Sequence, residues 1–339
     1  MAEIDPIPDF DVMPDVVPAD IFEEPESEVP VAPLPYHSDF RIQKHTWYGT
    51  DGSVWNLDDP DSGVFLVQEA IEGLHTPLTD EINRISPSIA GSSFQGYRVV
   101  ARDVVWAVYV YSDDSSEKFY DLDGRFWDSM KIGQYGTWRV TLPDGSFREL
   151  SMRQVPVSYS FERDPGRFGW VKYPVRFIAD ENPFWTYPLE IPGSKVTFAS
   201  EPGVDFFGGD TGYGPQFEIS PTRSETNREI YNDGDEDVYP IIKVNGPMDF
   251  VDFSIDEREY HLECDLNEGE WLKIDTRPNH FALTDHTGAN RIASVDNWIF
   301  DSFPSKETTN ITVFAQGLGG GSVVFDVSPL YHRAWGRNR

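Results

Sequence analysis

Seven histidines, one cysteine and 58 carboxylates are the residues of this 339-residue chain whose types could do chemistry. The histidines stand at positions 37, 45, 75, 261, 280, 286 and 332. No pair has helical metal-ligand spacing, and Cys264 alone makes no thiolate cluster. Each histidine is expected at the surface or on a strand edge. Gly91-Ser92-Ser93-Phe94-Gln95-Gly96 is one residue too long for the turn that presents a nucleophilic serine. Gly212-Tyr213-Gly214-Pro215-Gln216-Phe217 lacks the third glycine of a dinucleotide loop, and no P-loop occurs. Gly317–Gly321 has no following helix or lysine and reads as a hairpin turn. Carboxylates crowd at Asp58–Asp61 and Asp233–Asp237, where oxygens could converge on calcium; neither follows the EF-hand order, and each also makes a good solvated turn. Sugar hydrolysis needs two carboxyls about 5–10 Å apart in a cleft, and no sequence spacing encodes that. Ten tryptophans offer sugar-stacking faces or, more often, core and interface anchors. No catalytic residue, metal site or cofactor is therefore expected.

The elements that must position any site centre on Gly96–Gln154. Tyr97–Tyr111 reads as a strand, continuously apolar from Val104 and rich in β-branched and aromatic residues, so covered on both faces. Asp114 and Glu117 form a helix start in the manner of a capping box. Phe119, Leu122, Phe126 and Met130 follow on one helical face, and Gly133 is the expected stop. Gly136–Leu142 alternates, with Trp138, Val140 and Leu142 on one face. Pro143-Asp144-Gly145 is a turn because proline presets φ and glycine accepts a positive one. Ser146–Gln154 is the returning strand. One helix is thus expected across a mostly antiparallel sheet.

Bulk properties narrow the function further. The chain has room for two domains, and 39% hydrophobic with 14% aromatic residues suffices for their cores. A net charge of −31 repels phosphate and argues against a nucleic-acid binder. A single cysteine permits no internal disulfide, which fits a reducing compartment. The N-terminus lacks the basic and apolar regions of a signal peptide, and the longest apolar run, Val104–Tyr111, is too short to span a membrane.

Residues 1–35 form an acidic, proline-rich arm with ten acids, eight prolines and no Lys or Arg. Such a segment cannot fold alone and is expected to be extended, largely polyproline-like. Apolar residues nevertheless recur in it. Ile7, Phe10, Ile21 and Phe22 are the candidate anchors by which it would strap onto a neighbour; a free acidic tail fits the charge equally well.

Asp39–Tyr48, Ser53–Leu57 and Val64–Ala70 read as strands. Glu72–Gly96 has few strand signals and reads as a long excursion, a candidate functional loop. Val155–Arg163 and Trp170–Ala179 read as two more strands around Asp164-Pro165-Gly166. A domain boundary falls near Trp185, giving spans 36–185 and 186–339. Beyond the Gly- and Pro-rich Pro192–Pro221, short strands at close spacing predict a β-sandwich. They are Gln216–Ile219, Val238–Val244, Phe250–Ile255, Tyr260–Leu266, Glu270–Asp275, Phe281–Thr284, Trp298–Phe300, Asn310–Ala315 and Ser322–Val327.

Over Tyr36–Trp185 the order of features resembles the ring-forming domain of siphophage distal tail proteins. It is carried by Trp47–Leu57 around Thr50-Asp51-Gly52, Gly63-Val64-Phe65-Leu66, Glu72-Gly73-Leu74, Gly96-Tyr97-Arg98, Gly133, Gly136–Gly145 and Asn182-Pro183-Phe184-Trp185. The second half resembles that family's galectin-like sandwich through Asn232-Asp233-Gly234-Asp235, Tyr239-Pro240, Val244–Pro247 and Gly269–Thr276. The acidic, aromatic-rich style is similar to tail proteins of actinobacteriophages. The resemblance implies a mainly β chain: a barrel-like sheet with one helix, plus a galectin-like β-sandwich. It implies a structural minor tail protein without catalytic residues, forming a hexameric ring between tail tube and tail tip, assembled in the host cytoplasm and residing in the virion. Its implied partners are further copies of itself, the tail tube protein, the tape measure protein and other tail-tip proteins. No membrane and no sequence-specific nucleic acid are implied, and a like-charged lumen would let DNA pass. Two rivals are a carbohydrate-binding module reading host glycans, marked by exposed coplanar aromatics, and a glycan hydrolase, marked by a cleft with two carboxylates.

Overall fold

The computed structural model describes residues 43–67, 71–85, 90–161, 163–187, 195–199, 223–278, 280–296, 299–316 and 321–336. The arm with Ile7, Phe10, Ile21 and Phe22 lies outside the described residues, as does the expected strand Gln216–Ile219. Every described residue belongs to one compact unit, Ile42–Arg339. Among the described residues, no helix is long and apolar enough to cross a membrane.

The first lobe is one sheet rolled almost into a barrel. Its strands are β1 (Lys44–Tyr48), β2 (Val54–Asn56), β3 (Val64–Leu66), β6 (Arg102–Tyr111), β7 (Tyr135–Thr141), β8 (Phe147–Val155) and β9 (Trp170–Ala179). A separate two-stranded ribbon, β4 (Thr79–Ile85) with β5 (Ser92–Val99), precedes β6. The sheet order is β2-β1-β7-β8-β9-β6-β3, and the pairings are antiparallel. Its two edges approach each other where the Leu66 amide donates to the Leu57 carbonyl at 2.8 Å. Twist accumulated over seven strands brings the edges round in this way.

Alternation decides which side chains enter the barrel. In β7, Gly136, Trp138 and Val140 point inward, and in β9 Val171, Tyr173, Val175 and Phe177 do. The interior is a chain of aromatic rings. Trp47 meets Trp106 edge-on at 5.6 Å, Trp106 meets Trp138 at 5.2 Å and Phe177 at 4.4 Å, and Trp138 meets Trp185 at 5.0 Å. Tilted and edge-to-face contacts suit the ring quadrupoles. Gly136 is required beneath Trp47, because a Cβ there would collide with the indole. Helix α1 (Ser116–Asp128) closes one opening with Phe119 and Phe126, while Leu122 is partly buried and Met130 lies just past its end.

Several local expectations are corrected. Ser115, not Asp114, caps α1 by accepting the Lys118 amide; Asp114 instead pairs with the Lys118 ammonium. The helix stops at Ser129, four residues before Gly133, because the Ser129 hydroxyl turns back to the Phe126 carbonyl. The expected strand Tyr97–Tyr111 breaks at Val100–Ala101, where the ribbon ends and the barrel begins. Residues 156–161 continue from β8 without strand pairing, and Asp164-Pro165-Gly166 opens a short helix, α2 (Pro165–Phe168). Trp170–Ala179 and the Pro143-Asp144-Gly145 turn are as expected, with Gly145 at φ 87°.

The second lobe holds β11 (Lys195–Ala199), β12 (Arg223–Tyr231), β13 (Ile241–Asn245), β14 (Met248–Ile255), β15 (Arg258–Leu266), β16 (Trp271–Asp275), β17 (Ala282–Asp285), β18 (Thr308–Gln316) and β19 (Ser322–Asp326). They form two sheets, β11-β19-β13-β16-β17 and β12-β18-β14-β15. Ile242, Ile274 and Phe325 of the first share a core with Val251, Phe253, Leu262 and Val313 of the second, so the lobe is the expected β-sandwich. Ile299 and Phe300 are not in a strand. The expected hairpin turn at Gly317–Gly321 falls, except for Gly321, outside the described residues; the strands on either side, β18 and β19, belong to different sheets.

The chain leaves the barrel through β10 (Trp185–Thr186) and returns through β20 (Leu330–Tyr331), which pair with each other. Tyr331 and Ala334 complete the barrel core. Two buried arginines hold it. Arg102, 2% exposed, donates to four carbonyls: Pro183 at 2.6 Å, Gly73 at 2.7 Å, His332 at 2.9 Å, and His75. Burial lowers its pKa to about 10, so it stays charged at neutral pH. Arg148 donates to the Arg333 carbonyl at 2.7 Å and stacks 3.5 Å above the Tyr331 ring.

Two predictions arise from these interiors. Arg102→Met should destabilise the barrel by about 3 kcal/mol or more, because several buried carbonyls lose their donor together; urea unfolding followed by tryptophan fluorescence measures it, and an unchanged midpoint would refute the clamp. The second concerns His45, which is 1% exposed, stacked on Trp138 at 5.7 Å, with neither ring nitrogen hydrogen-bonded. Burial lowers its pKa from 6.5 to about 4, so it contributes stability above pH 6.5 that is lost as pH falls toward 4. His45→Phe should keep the stacking and remove that acid-sensitive loss, on the order of 2–3 kcal/mol between pH 7 and 4. Melting curves across that range test it; parallel pH profiles for both proteins would contradict it.

Candidate functional site

The residues that could do chemistry are dispersed and already engaged. His45 is a core residue rather than a surface one, since alternation in β1 turns it inward beside Trp47. Its backbone amide donates to Asp58, and burial raises that carboxyl's pKa to about 6. His261 pairs with Asp252 across β14 and β15, and this bond raises the imidazole pKa. His286 lies 3.7 Å from Glu270, and His75 packs edge-on against Trp335. Cys264 is buried, which pushes its thiol up to about 12, far from a reactive thiolate. Ser92 and Ser93 sit in β5, not on a strand-to-helix turn. Among the described residues, no group of three or more His, Cys, Asp and Glu is placed to hold a metal ion.

The two acidic stretches are structural joints. Asp59 caps a single 3-10 turn at Pro60–Ser62. In the second stretch each carboxylate takes a proton donor instead of converging on a shared point. Asp233 accepts the Tyr331 hydroxyl at 2.6 Å, Asp235 the His332 amide at 3.0 Å, Glu236 the His332 ring at 2.6 Å and Asp237 the Ser305 amide at 2.9 Å. Burial would raise the Asp235 pKa, but the His332 amide and Lys306 hold it below the ordinary value. This turn therefore fastens the sandwich to the returning chain.

What remains unsatisfied is surface rather than cleft. All seven residues of β4 are exposed, and in β5 only Gly96 and Val99 are partly covered. The ribbon displays Ile82 (55%), Ile85 (77%), Phe94 (60%) and Tyr97 (50%) to solvent. It pairs only with itself, kinked by a bulge between Ile82 and Asn83. A two-stranded ribbon with apolar residues exposed is marginal by itself and suits burial against another surface. Sequence reading flagged Glu72–Gly96 as a functional loop but missed its strands. The signal was Ile82 and Ile85 among polar neighbours, too sparse for strand alternation.

The glycan reading finds little support in the sandwich. Among the described residues, the exposed large aromatics are Phe94, Tyr97, Tyr111, Tyr120, Phe161, Phe168, Trp170 and Tyr231, and Tyr231 is the sandwich's single member of that set. Phe250 and Phe314 on its outer face are half-buried, 6.3 Å apart and tilted by 35°, not a coplanar platform. The hollow at Ile255–Arg258 is lined in part by an Arg258–Asp301 ion pair at 3.0 Å and by no aromatic ring.

No protein-family model matches the sequence, and no curated protein matches it. Solved structures do. The Dit (gp 19.1) protein of phage SPP1, described as a paradigm of the hub adsorption apparatus in phages infecting Gram-positive bacteria, is 12% identical with a TM-score of 0.51. The match covers 86% of this chain and 99% of that one. Chains of the phage P2 baseplate in its activated conformation, with calcium and with strontium, are 12% and 13% identical at TM-scores of 0.47 and 0.46. Each covers 85% of this chain and 98% of the other. In fold, then, this chain is similar to a siphophage distal tail hub protein across both lobes, as the order of its sequence features implies.

Proposed function

We propose that the protein is a structural hub of a siphophage tail, forming a hexameric ring between tail tube and tail tip, with the sandwich outside the ring. The observation that carries this is the β4–β5 ribbon, whose exposed apolar residues need a covering surface. The fold shared with the SPP1 hub protein supports a ring of copies as the source of that surface. The barrel's rolled sheet supports it too, because a ribbon standing off a rigid body can lap onto an adjacent subunit. Copies carrying −31 each repel one another, so apolar burial must outweigh that repulsion at the contact. The same charge would keep the ring's channel from retaining DNA. In this reading the tail tube, tape measure and other tail-tip proteins are its neighbours, the virion tail tip is its location, and it carries out no catalysis.

Light scattering on the full chain at micromolar concentration should give a closed oligomer of six. Ile85→Asp with Phe94→Asp should weaken association about tenfold or more, since truncated anchors dominate interface energies. A strictly monomeric wild type, or an oligomer indifferent to both substitutions, would contradict the reading. Turnover of cell-wall glycan that one carboxylate substitution abolishes would overturn the non-enzymatic part.

A further inference from the structure

A second surface of the barrel has a composition unlike the rest of the chain. Phe161, Phe168 and Trp170 are 53%, 49% and 47% exposed around a groove of about 470 Å³ at the start of β9. Two cations, Arg163 and Lys172, line the groove with them, and a third is near in sequence. The Arg163 guanidinium lies 5.5 Å over the Phe168 ring, Lys172 lies 5.8 Å over Tyr109, whose ring meets Trp170 at 6.0 Å, and Arg167 is on the short helix α2. Among the described residues, none of Arg163, Arg167 and Lys172 has a carboxylate within 4.0 Å. Asp164, the acid lining the groove among the described residues, is taken up by the Gly166 amide at 3.1 Å and the Tyr120 hydroxyl at 3.3 Å. Cations with no ion-pair partner among the described residues, set beside exposed rings, are out of keeping with a chain of net charge −31.

The complementary chemistry is in this same sequence. Residues Ile4, Ile7, Phe10, Met13, Val16, Ala19 and Phe22 recur every third position. A polyproline II helix has three residues per turn, so in that conformation all seven share one face. Asp5, Asp9, Asp11, Asp15 and Asp20 fall on the other two faces, with Pro6, Pro8, Pro14 and Pro18 presetting φ. Proline-rich segments of this geometry dock in aromatic-lined grooves with little loss of backbone entropy. We propose that the Phe161–Lys172 groove receives residues 4–22 of a neighbouring copy, rings against the apolar face and cations against the aspartates.

The sheet register sets the start of β1 apart from the groove. β9 runs from Trp170 to Ile178, level with Arg153 of β8 and Tyr135 of β7; β7 then runs on to Thr141, which pairs with Lys44. Lys44, where β1 begins, and Trp170, beside the groove, thus lie at opposite ends of the barrel strands. The inference rests on the proposed assembly of copies and names the contact that would link them.

The test uses full-length chains and the inertness of buried Cys264. One preparation carries Val12→Cys, off the apolar face, and another carries Ser160→Cys at the groove. Mixed and mildly oxidised, they should give a covalent dimer on a non-reducing gel, about tenfold above a control pairing Val12→Cys with Ile292→Cys on the sandwich. Adding Arg163→Glu and Lys172→Glu to the groove partner should lower the yield about fivefold or more. Yield no greater than the control overturns the proposal. So does a disulfide formed only when both cysteines are on one chain, which would assign the groove to its own arm. Light scattering on the same samples separates the two readings: an oligomer without the disulfide overturns the groove assignment alone, and a monomer overturns both.

Discussion

The barrel depends on one desolvated cation. Arg102 sits at the start of β6 with no carboxylate partner among the described residues, its charge spread over carbonyls from the loop before the ribbon, the chain leaving the barrel, and the chain returning to it. A buried guanidinium without a counterion is costly unless its donors are filled, and a flat fork of five N–H groups can fill them from several directions at once. Lysine could not reach the same set. Three segments distant in sequence must therefore be in place together before the charge is accommodated, which makes the site a check on correct closure as well as a bond. Arg148 repeats the device on the other side of Tyr331.

Much of the barrel could be read from residue types. The alternation of Trp138 and Val140 placed β7, Pro143-Asp144-Gly145 placed its turn, and the spacing of Phe119, Leu122 and Phe126 placed the face of α1. Those signals are local, and local physics acts on them alone. What stayed hidden depends on distant partners. His45 looks polar in sequence, yet strand phase carries it into the core beside Trp47. Asp233, Asp235 and Glu236 look like a solvated turn, yet their donors are Tyr331 and His332, almost a hundred residues on. Leu330–Tyr331 is too short to declare a strand and is one only because β10 awaits it. The ribbon falls between these cases: its β-branched residues are visible, but a strand paired only with its own hairpin partner has no core face to impose alternation.

Charge is distributed in this protein by task. The acids of the joint between the lobes are consumed by specific donors, and surface pairs such as Arg176 with Asp103 add little. The uncompensated remainder is a negative field around the protein. Apolar residues are exposed on the ribbon and at the groove by Trp170, and singly elsewhere, as at Val54 and Ile132.

The side-by-side exit and return of the chain have a mechanical meaning. Thr186 pairs with Leu330 and Trp185 with Tyr331, so the sandwich is tethered at both of its ends to the same point of the barrel. Tension on the sandwich divides between two strands instead of running through one. Each strand is anchored beneath by a side chain that cannot slide, the Trp185 ring on one and the Arg148-clamped Tyr331 on the other. Pulling along such a pair loads both anchors in parallel, so neither can be drawn out of the barrel before the other shares the force. Torque meets less resistance, since a stalk two strands wide can twist about its own axis. A lobe mounted this way can swivel while remaining hard to tear off.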